Sequence, residues 1–128
     1  MLRTKGRVNH EHITSLIAFN ANLQLAHWQA DTVTNEHRTL GDLYDRMTEL
    51  TDDLAEVCLG KDGNRDFPTG EVIQLTVNAK LPILLGAGLS LLKDMRAELT
   101  AGDDDDLLNI IAEMSSAINK SRYLLKIP

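Results

Sequence analysis

His27-Trp28, His37 and the pair Asp52-x-x-x-Glu56 are the side chains whose types and spacing could do chemistry. Imidazole nitrogens hold divalent Fe, Zn or Cu, and hard carboxylate oxygens favour Fe(III), so the mixed set suits the Fe(II)/Fe(III) couple. At about 100° per residue, His27 falls within the helical stripe of Ile13, Leu16, Ile17 and Leu23, which Asn20 shares. A polar group on such a stripe must be hydrogen-bonded, paired with a charge or bound to metal. A lone histidine there is more often a satisfied core residue than a ligand. A second histidine changes the balance: a hairpin centred near Thr32 puts His27 and His37 at equal distance from the turn, where they can face each other.

Asp52 and Glu56 are one turn apart and share a helix face. By itself such a pair is most often a solvated surface. Here His37, Gly41, Thr48 and Asp52 form a strip flanking the hydrophobic seam of the same helix, with Glu56 slightly beyond it. Asp52 nevertheless lies about 22 Å from His37 along the axis, at ~1.5 Å per residue, and no metal site spans that distance. A two-fold axis packing this helix antiparallel to its copy would bring Asp52 and Glu56 of one chain beside His37 of the other. Within one chain, the alternative is His12, which the hairpin places opposite Asp52 but near the helix start, in a charged and exposed neighbourhood.

These residues need helices to position them, and the apolar periodicity supplies four. The first runs from about Asn9, a plausible N-cap, to Asp31. The second, Glu36 to about Leu59, carries Leu40, Leu43, Tyr44, Met47, Leu50, Leu54 and Val57 on one face, with Thr34 or Asn35 as cap and Gly60 where a glycine ends a helix. The third starts near Pro82, a good first-turn residue, and runs to about Thr100. The fourth starts within Asp103 to Asp106 and runs to about Lys126; those aspartates suit a helix N-terminus, a pore lining being the lesser reading. Short connections make each pair an antiparallel hairpin, and the long link, Lys61 to Leu81, can run the length of a bundle as a single crossover. Its interior, Val72 to Val77, partly alternates; a lone strand has no ladder partner, so a short helix or packed extended segment is expected.

Composition agrees. The chain of 128 residues suits a single domain over 1–128, with 1–8 as a basic N-terminal tail. Scarce aromatics and abundant Leu, Ala and Ile favour an all-α fold. With a net charge of −6 and a pI near 5.1, the body should not attract nucleic acid; Arg3, Lys5 and Arg7 allow only weak, salt-sensitive DNA contact. The single cysteine, Cys58, excludes an internal disulfide and reads as a small buried residue. No apolar stretch follows the basic start, and Leu81 to Leu92 falls short of the ~20 residues that span a bilayer, so a soluble, cytoplasmic protein is expected. His10 has no partner recognisable in the sequence.

The run His27-Trp28, His37, Leu40, Tyr44 and Asp52-x-x-x-Glu56 resembles the Dps-type mini-ferritins. Gly102-Asp103 through Leu107-Leu108, Ile111 and Arg122-Tyr123-Leu124-Leu125 resemble the last helix of that family. The resemblance covers nearly the whole chain, with its specific part from Ala26 to Glu56. It implies a ferritin-like four-helix bundle with one long crossover between helices two and three. It also implies a ferroxidase centre between subunits, with His27 and His37 from one chain and Asp52 and Glu56 from its two-fold partner. Trp28 would pack near that centre. Fe(II), for which Zn(II) is a redox-silent substitute, would be oxidised with peroxide or O2 and stored as ferric mineral inside a homo-oligomeric, dodecameric shell. The chain departs from the family at two points: the His27-to-His37 spacing is two residues shorter, and Gly41 stands where a further carboxylate follows the histidine by one turn. Asp42 points about 100° away from that position, and Gly41→Asp is expected to restore the ligand. The competing reading, which Gly41 favours, is a non-catalytic helical assembly protein that binds DNA or a protein partner.

Overall fold

The computed structural model describes residue 8 and residues 10–127, so the expected cap at Asn9 and the basic tail with Arg3, Lys5 and Arg7 lie outside the described residues. Four helices form, α1 (His10–Gln29), α2 (Asn35–Asp62), α3 (Leu81–Ala97) and α4 (Asp105–Leu124), with no strand among the described residues. Each buries one stripe. Ile13, Leu16, Leu23 and Ala26 of α1 meet Leu40, Leu43, Met47, Leu50 and Leu54 of α2, with Leu85, Leu92 and Met95 of α3 and Leu107, Ile111, Met114 and Ile118 of α4 closing the same core. Ile17, expected on the α1 stripe, is 45% exposed, because the buried run turns through Phe19 and Asn20 and leaves position 17 at its edge.

Helix α1 packs against α2 and α3, and α4 packs against the same two, so α1 and α4, like α2 and α3, face each other diagonally across the core. The five residues 30–34 join α1 to α2. Thr34 caps α2, its hydroxyl accepting from the His37 N–H at 3.1 Å, which settles the choice between Thr34 and Asn35. At the other end Gly60 stays inside the helix, contrary to expectation. The chain reverses at Gly63, whose φ of 69° is left-handed and whose N–H donates to the Leu59 carbonyl at 2.8 Å.

The α3–α4 connection, 98–104, is longer than expected, because α3 ends at Ala97 and Asp104 closes the turn. Its carboxylate accepts from the Thr100 N–H at 2.8 Å while its own N–H donates to the Thr100 carbonyl at 2.9 Å. Lys61, from the end of α2, reaches Asp104 at 3.5 Å and Asp106 at 2.9 Å, tying the two ends together.

Residues 63–80 link α2 to α3 and are held against α1 by side-chain bonds. His10 Nε2–H donates to the Asn64 carbonyl at 2.8 Å, and its ring meets Phe67 edge-on at 4.4 Å, so the histidine without a recognisable partner anchors the start of this link. The Asn22 amide donates to the Gln74 carbonyl at 3.0 Å and accepts from the Thr76 N–H at 2.7 Å. Gln29 accepts from the Asn78 N–H at 2.9 Å. Neither a short helix nor a packed segment forms at residues 71–76: they carry no regular structure and their side chains are exposed. No helix among the described residues is long and apolar enough to cross a membrane.

Candidate metal centre

His27 leaves the last turn of α1 and His37 the first turn of α2, and the short connection between them folds the two rings together. The imidazoles stack with centroids 4.0 Å apart and planes 27° from parallel. Each bonds the backbone of the other: His27 Nδ1–H donates to the His37 carbonyl at 2.6 Å, and His37 Nδ1–H donates to the His27 carbonyl at 2.8 Å. A carbonyl is an acceptor only, so both Nδ1 atoms carry hydrogen. In the neutral rings both Nε2 atoms are then left with lone pairs, the arrangement in which metal-binding histidines are oriented by a backbone carbonyl.

Gly41 sets the position of the first ring. A Cβ on this residue would lie 2.7 Å from Cε1, 3.0 Å from Nδ1 and 3.2 Å from Nε2 of His27. That ring edge is pinned by its Nδ1 bond and cannot retreat cheaply. The expectation that Gly41→Asp completes the site is therefore reversed. A side chain here displaces the imidazole, and the missing carboxylate is the condition for seating His27 in so short a hairpin.

Both rings border an open cleft of ≈ 470 Å³ whose walls include Trp28, Gly41, Tyr44 and Asp45. Trp28 lines this cleft beside the two histidines and is 65% exposed within one chain. Asp42, expected to point away, and Asp45 both line the cleft. Asp45 was detectable from sequence, lying one turn beyond Gly41 on the strip that begins at His37; Arg38 and Gln24, also in the wall, carried no such signal.

Asp52 and Glu56 are exposed on α2, which runs unbroken from Asn35 to Asp62, so helix geometry keeps Asp52 about 22 Å and Glu56 about 28 Å from His37 along the axis, at ~1.5 Å per residue. The two carboxyls interact. A hydrogen bond with Asp52, then its negative charge, holds the Glu56 carboxyl above its ordinary value. Among the described residues neither has a cationic partner, and no three His, Cys, Asp or Glu side chains of one chain gather into a metal-sized cluster. His12, the intrachain alternative, forms no hydrogen bond or ion pair with Asp52; its Nδ1 is buried without a hydrogen-bond partner among the described residues.

Away from the cleft, Asn20 is buried between α1 and α2 and donates to the Thr51 hydroxyl at 2.9 Å, while its Oδ1 has no hydrogen-bond partner among the described residues. Cys58 is buried, and desolvation pushes its thiol up to about 11, so it is not a reactive thiolate. Comparison with protein-family models, with curated proteins and with solved structures finds no match for the chain.

Proposed function

We propose that this chain is a Dps-type mini-ferritin that oxidises and stores iron at a site completed by a second copy of itself. The observation that carries the reading is the reciprocal His27–His37 pair, which holds two stacked imidazoles in one tautomer beside an open cleft and leaves Nε2 of each neutral ring without its hydrogen. The complementary half, Asp52 and Glu56, stands on the same helix, exposed and with no cationic partner among the described residues.

In this reading iron is substrate and cargo. His27 and His37 bind Fe(II), and Asp52 and Glu56 of the two-fold partner bridge it and neutralise the Fe(III) that forms. Two Fe(II) ions each give one electron to one peroxide, whose O–O bond breaks to yield two hydroxides, so no radical leaves the site. O2 is the other candidate oxidant, and Zn(II) binds without reacting. The bonds from residues 64, 74, 76 and 78 to His10, Asn22 and Gln29 support a link that follows α1 from its start to its end, as the single crossover of a ferritin-like bundle does. A cytoplasmic homo-oligomer, at least a two-fold dimer and in the full assembly a dodecamer, completes the proposal. The non-catalytic alternative rested on Gly41, and the close approach of His27 to that residue gives the glycine another reason.

The test is peroxide-dependent Fe(II) oxidation measured beside particle mass. Glu56→Gln keeps the side-chain shape and should slow oxidation with the assembly intact, and His27→Ala should abolish it. Rates unchanged in both variants, or no faster than protein-free solution in the parent, would sink the enzymatic reading.

A further inference from the structure

A groove of ≈ 570 Å³ opens between α1 and α3 and shares no residue with the histidine cleft. Small residues make it. Ala18 of α1 and Ala87 of α3 leave the space that larger side chains would fill. Gly88 lets the Phe19 ring sink between the helices, where a Cβ on this glycine would overlap it. Phe19 is thereby buried as the floor, while Leu84 and Leu91 line the α3 wall and stay only half-buried. The two helices run antiparallel, so the groove follows α1 from Asn22 back to Ser15 and α3 from Leu84 on to Leu91, about 10 Å at ~1.5 Å per residue.

Its two ends differ. The end of the link before α3 closes the groove near Asn22, whose side-chain carbonyl accepts from the Thr76 N–H at 2.7 Å, while Gln29 accepts from the Asn78 N–H at 2.9 Å. Those bonds use the backbone of the link and leave its side chains open. Among the described residues the Thr76 hydroxyl, the Asn78 amide and the Lys80 ammonium, all on the lining, have no hydrogen-bond or ionic partner. Lys80 alone among the lining residues is charged. An apolar trough of this volume with a cation and two neutral polar groups gathered at one end is complementary to an amphiphilic anion. The trough takes hydrocarbon out of water, and the ammonium takes the charge.

We propose that this groove binds a medium-chain carboxylate, with its tail laid along Phe19, Ala87 and Leu91 and its head held by Lys80, Thr76 and Asn78. The site is complete within one chain. It stands or falls separately from the metal centre proposed above, since the two share no side chain and the groove needs no second copy.

Titration calorimetry of the full chain with decanoate tests it, with decanol as the neutral probe of equal length. Decanoate should saturate a single site per chain and bind at least about tenfold tighter than decanol, the worth of one charge-assisted contact. Octanoate should bind about tenfold more weakly than decanoate, as the loss of two buried methylenes requires. Lys80→Gln should bring decanoate down to the affinity of decanol and leave decanol unchanged. Ala87 is exposed, so Ala87→Trp fills the groove without entering the core. That variant should weaken both probes at least about tenfold, with the helical circular dichroism and Zn(II) binding of the parent retained. No saturable decanoate binding, equal affinity of the parent for decanoate and decanol, or parental decanoate binding in Ala87→Trp would overturn the proposal. An assembly that Ala87→Trp dissociates would overturn it too, because a second copy would then be what covers the groove.

Discussion

At the scale of single residues, Gly41 and His27 form one unit. The ring lies where a Cβ would be, and its Nδ1 bond to the His37 carbonyl holds it there. Gly41→Ala should therefore lower Zn(II) affinity about 10- to 100-fold, the usual cost of disturbing the groups that orient a metal ligand, while far-UV circular dichroism shows the helices retained. Titration calorimetry giving parental affinity would mean that the ring position does not matter for binding. Glu56 offers a second test. Asp52 holds its carboxyl above the ordinary value, so at neutral pH the folded chain carries a mildly unfavourable pair of charges that is relieved as pH falls through the raised value. At the proposed site protons and metal would compete for this pair, and metal binding should weaken on the acid side. In the metal-free protein Asp52→Ala removes both leading causes, and the Glu56 titration followed by NMR should move down toward 4.5, the ordinary value; an unmoved titration would contradict the pairing. The two imidazoles were legible in the sequence because a short hairpin makes their distances from the turn equal. Their reciprocal bonds and the role of Gly41 were not, because both depend on how closely α1 and α2 approach, and periodicity does not set that distance.

At the scale of elements, the apolar stripes of all four helices could be read from spacing alone, since burial demands the period whatever the neighbours are. Helix ends were harder. Gly60 and Gly63 are equally plausible stops in sequence, and the choice falls to the residue that adopts a left-handed φ when the chain must turn away. The aspartates 103–106 read as a uniform helix start, yet they divide their work. Asp105 and Asp106 occupy the first turn of α4, and Asp104 is 2% exposed, closing the preceding turn and meeting Lys61. Asp104→Ala should destabilise the fold by about 1–3 kcal/mol, the cost of leaving a buried donor without its acceptor, with Zn(II) binding at the distant histidine cleft unchanged. Urea denaturation with both arms measured checks this; a loss under ~0.5 kcal/mol would place Asp104 among ordinary surface residues.

At the scale of the whole molecule, the decisive geometry is a straight helix. Because α2 is unbroken from Asn35 to Asp62, it keeps the histidines and the carboxylates of one chain apart, so the proposed site requires a second copy. The long link between α2 and α3 was legible as a connection but not in its course, since its bonds to Asn22 and Gln29 involve polar side chains that no apolar pattern marks. Subunit complementation tests the shared site most directly. One variant carries His27→Ala and His37→Ala, the other Asp52→Asn and Glu56→Gln, and each alone should lose high-affinity Zn(II) binding. In a mixed two-fold dimer one of the two sites has both mutated halves and the other has both intact halves. Mixing after dissociation and reassembly should therefore restore one Zn(II) site per heterodimer, together with peroxide-dependent Fe(II) oxidation. Full binding by the carboxylate variant alone, or no recovery in heterodimers whose formation is verified by mass, would contradict a metal centre built between two chains.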